Sequence, residues 1–301
     1  METKNKKIII TLSILLFLFV AYSVFLMYGL YIKDLNYLTS DVIDGNVAYR
    51  YDKDLDAYIV SGFGKLESNN PRHLTKQEAI IVIESKIKGK TVVEIKDYAF
   101  SETHIREVTI PSSVKRIGEA AFSSSGLEKV ILNEGLVEID DYAFSHCHSL
   151  NEIEFPSTLR KIGYQAFSNV ALEELSLNNV ELGVRAFEEC YNLNRITFEG
   201  KIAIEEFTFN HNGISYLDLT NVTSVGMYAF SNNVIRAVYI PKELYYYDYD
   251  IHDYVNKIHK TTFFQVVDVY IEEELFFDFN FNFVNVHTGV SRTEYYEMIN
   301  Q

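Results

Sequence analysis

Seven phenylalanines, Phe100, Phe122, Phe144, Phe167, Phe187, Phe209 and Phe230, recur along this chain at intervals of 22, 22, 23, 20, 22 and 21 residues. Each sits in the same apolar frame. Five residues earlier stands Ile95, Ile117, Ile139, Ile162, Leu182, Ile204 or Val225, and a triad spaced L-x-x-V-x-I follows. The triads are Ile105/Val108/Ile110, Leu127/Val130/Leu132, Leu150/Ile153/Phe155, Leu172/Leu175/Leu177, Leu193/Ile196/Phe198, Ile214/Leu217/Leu219 and Ile235/Val238/Ile240. A fixed period of this length belongs to units that bury their apolar faces only by stacking. It therefore outranks the length of 301 residues as a guide to architecture.

The unit reads L-x-x-V-x-I-P-x-x-V-x-x-I-x-x-x-A-F, with Pro111, Pro156 and Pro241 closing three of the triads. Alternation in V-x-I predicts a short strand with those side chains inward, and stacked units predict a parallel sheet. The preceding Ile and the A-F pair form the opposite wall. Ala99, Ala121, Ala143, Ala166, Ala186 and Ala229 leave room for a phenylalanine column, and Thr208 replaces Ala in the sixth unit. Gly118, Gly163, Gly183 and Gly226 stand four before Phe and suggest a turn, but Lys96, Asp140 and Glu205 hold that place elsewhere, so no glycine-only angle is required. The expected fold is an α/β-type repeat solenoid, mostly β, with units of about 22 residues, preceded by one transmembrane helix.

That helix is predicted over residues 8–32, an apolar stretch without a single charge. It is long enough to span a bilayer and longer than the apolar core of a cleaved signal, and no A-x-A site follows. Lys4, Lys6 and Lys7 precede it, which places the N-terminus inside and the chain after Lys33 outside. Secretion after signal cleavage is the alternative. The expected organisation is a cytoplasmic tail at 1–7, the anchor at 8–32, a linker at 33–46, a hairpin cap at 47–80, the repeat array at 81–241, and an aromatic-rich cap or small domain at 242–301. Beyond Pro241 the period stops, although residues 267–271 and 279–286 alternate like strands.

A net charge of -15 excludes a nucleic-acid backbone as the natural partner. The two cysteines, Cys147 and Cys190, follow a repeat Phe by three residues in the two units that carry one extra residue before the triad. Two rungs lie roughly 10 Å apart, beyond disulfide reach, so both are read as buried thiols. His146-Cys147-His148 lacks a second ligand cluster, so no metal and no cofactor are expected. No nucleophile elbow, phosphate-cradling loop or H-E-x-x-H is present, and the chain is not read as an enzyme.

Residues between the inward strand positions point outward and form the candidate binding face. Glu152, Glu154 and Glu174 make its middle acidic, and Arg195, Tyr216, Asp218 and Tyr239 follow toward the C-terminal end. Arg and Tyr are enriched among residues that carry binding energy, which puts Arg195, Tyr216 and Tyr239 first.

With A-F after I-x-x-x and I-P closing the strand, residues 47–241 resemble the BspA-like leucine-rich repeats of exported surface proteins. The turn Ser61-Gly62-Phe63-Gly64 and the segment IESKIKGKTVVEI, with Glu84 at the usual proline, match that pattern too. The resemblance implies a cell-surface adhesion or protein-binding module without catalysis, whose partner is an extracellular protein or glycan. Two other roles fit the sequence: a structural spacer or self-associating envelope component, and a sensor acting on a partner membrane protein.

Overall fold

A computed structural model of the chain describes residues 42–64, 70–77, 79–248, 253–256, 266–271 and 283–300. The chain falls into two compact units, Met1–Val42 and Ile43–Gln301, and the repeats occupy the second. The predicted tail at 1–7, anchor at 8–32 and most of the linker lie outside the described residues. Among the described residues no helix is long and apolar enough to cross a membrane.

The repeats stack as rungs, numbered here by their phenylalanines from Phe100 (rung 1) to Phe230 (rung 7). Each rung carries two strands. The return strands lead into the phenylalanines: Lys90–Ile95, Arg116–Ile117, Glu138–Ile139, Lys161–Ile162, Glu181–Leu182, Ile202–Ile204 and Val222–Val225. The face strands follow them: Glu107–Ile110, Lys129–Leu132, Glu152–Ile153, Glu174–Leu177, Arg195–Phe198, Tyr216–Asp218 and Ala237–Ile240. All the rung-to-rung pairings are parallel, as the stacked triads predict. The hairpin of Val47–Asp52 and Ala57–Phe63 is antiparallel, and its second strand starts the return wall by pairing with Lys90–Ile95. Ile80–Val82 starts the face wall in the same way, beside Glu107–Ile110.

The phenylalanines form one column through the core, each at most 1% exposed. Successive rings from Phe100 to Phe230 lie nearly parallel at 5.0 to 5.6 Å between centroids, and Phe63 of the hairpin caps the column edge-on. Burying each ring stabilises the stack by about 2–3 kcal/mol. Thr208 fits where the other rungs have Ala because its hydroxyl donates to the Glu205 carbonyl at 2.9 Å.

Two residues per rung take left-handed angles, two before and two after the phenylalanine, and none of them is glycine. In rung 1 they are Tyr98 and Glu102, with φ of 60° and 56°. Such angles cost roughly 1–2 kcal/mol per residue. They turn alternate N–H groups toward the next rung: Tyr98, Phe100 and Glu102 donate to the carbonyls of Glu119, Ala121 and Ser123 at 2.7 to 2.9 Å. The glycines four before Phe have ordinary angles. Their role is close approach, since a Cβ on Gly183 would lie 2.5 Å from the Gly163 carbonyl carbon.

The ladder continues where the sequence period stops. Val266–Ile271 pairs in parallel with Ala237–Ile240, and Phe283–Thr288 pairs with Val266–Ile271. Val238, Val269 and Val286 share one row, although the first of the two sequence steps between them is longer than any repeat and the second is shorter. The helix Arg292–Ile299 is the last element among the described residues, opened by a capping box between Ser291 and Glu294.

Candidate binding face of the repeat array

The face strands present their outward residues in two rows, and in the first row the paired residues of a ladder alternate in charge. Lys129 stands opposite Glu107 and Glu152 and bonds the Glu152 carboxylate. Arg195 stands opposite Glu174, its Nη1 2.7 Å from the carboxylate. Both pairs are largely exposed, so solvent screening leaves each a minor contribution to stability. Beside them Arg106 grips Glu128 with two bonds of 2.8 Å.

The seven candidate residues divide by exposure. Glu152, Glu154, Glu174, Arg195 and Tyr216 are exposed in the middle of the array. Asp218 is half-buried: Arg292 Nε lies 2.6 Å from its carboxylate and Tyr296 donates to it at 2.9 Å. Tyr239 is not an open face residue, as the alternation predicts, but 2% exposed. The C-terminal helix lies over that end of the face, packing Tyr295 against Tyr239 and Tyr270 with centroids 5.7 and 5.3 Å apart. No residue near Tyr239 in sequence announces this cover. The signal that could have located it is the capping box Ser291-x-x-Glu294, which marks a helix start just after the last strand.

The face is also divided along its length. Rungs 1 to 3 pair with one another, rungs 4 and 5 pair as a separate sheet, and rungs 6 and 7 belong to a third. The ladder opens after rung 3 and after rung 5. These are the two rungs with an additional residue between phenylalanine and triad, taken up by identical tight turns in which Leu150 and Leu193 donate to the carbonyls of Cys147 and Cys190 at 2.9 Å. At the first opening the return from face strand to return strand also shortens: Leu172 to Leu182 is a briefer step than Leu150 to Ile162. A cavity of about 570 Å³ lies there, floored by Ile153, Phe155, Leu175 and Leu177 and rimmed by Glu154 and Glu174.

Both thiols are buried and unbridged. Each donates to the carbonyl of the preceding rung's phenylalanine: Cys147 to Phe122 at 3.1 Å and Cys190 to Phe167 at 3.2 Å. Asn212 and Asn233 serve Phe187 and Phe209 in the same way. Burial pushes the thiol pKa of Cys147 up to about 11 and that of Cys190 to about 12. The rings of His146 and His148 stand 5.6 Å apart, with His148 Nδ1 3.2 Å from Asn169 Oδ1. Among the described residues no group of three or more His, Cys, Asp or Glu side chains is placed to hold a metal ion.

A family profile described as BspA type leucine rich repeat region matches residues 81–194 and 180–299, in six copies. No curated protein sequence matches the chain. Among solved structures it is similar to a leucine rich cell surface protein from Faecalibacterium prausnitzii, with 20% identity over 83% of this chain and 73% of that one and a TM-score of 0.60. A leucine-rich repeat protein from Bacteroides ovatus gives a TM-score of 0.53 at 20% identity, over 81% of this chain and 67% of that one. The leucine rich repeat protein of T. pallidum gives a TM-score of 0.53 at 28% identity, over 64% of this chain and 88% of that one. With the profile matching well over half of its length, and with the phenylalanine column and parallel ladders as its core, the chain belongs to the BspA-type leucine-rich repeat family.

Proposed function

We propose that the chain is a membrane-anchored protein of the cell exterior that binds a protein or glycan through the open middle of its face wall. The observation that carries this is the exposure of Glu152, Glu154, Glu174, Arg195 and Tyr216 on successive rungs, next to an end that the C-terminal helix covers. Residues 8–32, preceded by Lys4, Lys6 and Lys7, support the anchor and an outside position for the repeats. The remaining divisions of the chain follow: a tail at 1–7, a linker to 46, a hairpin cap to 80, repeats to 241 and a C-terminal cap.

The test uses the full chain in lipid nanodiscs against immobilised extracellular matrix proteins and glycans. Capture lost in a folded Arg195→Ala/Tyr216→Ala variant supports the face as the site. Equal capture by both proteins, or capture of nothing, would overturn it and favour an architectural role. That second reading draws on the self-paired charges of Glu174 with Arg195 and Lys129 with Glu152.

A further inference from the structure

The opening between rungs 3 and 4 exposes main chain as well as side chains. In a parallel ladder the N–H and C=O of alternate residues point to opposite neighbours. The paired steps show the phase here. First residues of the face strands look back one rung, as when Lys129 donates to Arg106 and Arg195 to Glu173. Fourth residues look forward, as when Leu219 donates to Tyr239. By the same alternation, Ile153 and Phe155 of rung 3 direct their main-chain groups toward rung 4, and Glu174 and Ser176 direct theirs back toward rung 3. Among the described residues no hydrogen bond joins the two edges: the last one before the opening runs from the Ala171 N–H to the Leu150 carbonyl at 3.0 Å. Two short strand edges thus face a cavity with an apolar floor.

The rim supplies the charge. Glu134 is held by Ser157, Glu174 by Arg195, and Glu199 accepts from Ser176 at 2.8 Å. Glu154, exposed at the mouth, makes no side-chain hydrogen bond among the described residues. An unpaired strand edge is a template for a further strand. A strand laid there would direct alternate side chains to the apolar floor and to the carboxylate rim.

We propose that this opening takes an extended basic segment of a partner polypeptide. Its main chain pairs with the free edge groups, its apolar side chains cover Ile153 and Leu175, and a Lys or Arg meets Glu154. The proposal rests on the reading that the face wall binds a partner, and it narrows protein or glycan to polypeptide.

The probe is fluorescein-labelled, end-capped (Lys-Val)3, titrated by anisotropy into the full chain in nanodiscs. Controls are (Glu-Val)3 and two (Lys-Val)3 peptides N-methylated on either the lysine or the valine nitrogens. Since an added strand turns alternate N–H groups to its neighbour, at least one methylated peptide should bind about tenfold or more weakly, and Glu154→Gln should weaken the parent about fivefold. Both methylated peptides binding within about twofold of the parent, equal binding of (Glu-Val)3, or no effect of Glu154→Gln would overturn the proposal. No peptide binding while Arg195→Ala/Tyr216→Ala still loses partner capture overturns this inference alone. No peptide binding together with partner capture that the Arg195→Ala/Tyr216→Ala variant does not lose overturns the reading beneath it as well.

Discussion

The hydroxyl of Tyr295 lies 3.1 Å from the carbonyl oxygen of Leu217, a residue 78 positions earlier, and accepts that residue's N–H at 3.2 Å. This contact ties the last helix to the face wall. Tyr295 is 1% exposed, and burial holds its phenol well above the ordinary tyrosine range. Tyr295→Phe should cost about 1–2 kcal/mol, because it strands hydrogen-bonding groups at a buried site. Tyr295→Ala adds a cavity and should cost about 3–5 kcal/mol. Nearest-neighbour coupling in a stacked array confines the damage to the C-terminal end. Hydrogen exchange should therefore accelerate at residues 216–219 and 237–240 and stay unchanged at rungs 1 to 3. Uniform acceleration along the array would contradict this.

Replacing a ring inside the column has a different reach. Phe144 stacks between Phe122 and Phe167 at 5.1 and 5.0 Å. Phe144→Ala should cost about 3–5 kcal/mol and break the array at its centre, giving two unfolding steps in urea where the wild type gives one broad step. A single step with an unchanged midpoint would show that the column is not the core.

The thiols offer a chemical readout. With pKa values near 11 and 12 and no solvent access, neither Cys147 nor Cys190 should react with an aromatic disulfide reagent at pH 8 in the native protein. Both should react promptly in urea. Prompt native reaction of either would show that its rung opens locally.

Acid stability should follow Arg116, which bridges Glu94 at 2.6 Å and bonds Asp140 on the next rung. Burial alone would raise the Asp140 pKa, but the Asp141 N–H and the Arg116 guanidinium outweigh it and hold the carboxyl below its usual range. A depressed carboxylate stabilises the fold above its unfolded pKa of about 4, and that contribution is lost as pH falls through the folded value. Arg116→Met should lower stability by about 1–2 kcal/mol at pH 7 and by progressively less below pH 4. A deficit that does not shrink in acid would mean packing, not charge, makes the contact.

Much of this fold is readable from residue spacing alone. The phenylalanines, the apolar residues five before them and the triads place both walls, and the hairpin's alternation marks its start. Cover at the C-terminal end was not readable, because Tyr239 is buried by Tyr295, a contact between distant parts of the chain that strand alternation cannot anticipate. The last two strands escaped the period because intervening segments stretch the step from Val238 to Val269 beyond a repeat and cut the step from Val269 to Val286 short of one. The openings in the face ladder were visible only as spacing: the additional residues before Leu150 and Leu193 stand out in the sequence, but which pairing they open depends on how the neighbouring rung sits.

Site-resolved hydrogen exchange at the rung 3 to rung 4 step reads out whether the face wall is open there. The amides of Ile153, Phe155, Glu174 and Ser176 should exchange about a hundredfold faster than those of Val108 and Ile131, which sit at equivalent positions on paired strands. Equal protection at all six amides would mean that the ladder is closed and the site does not exist.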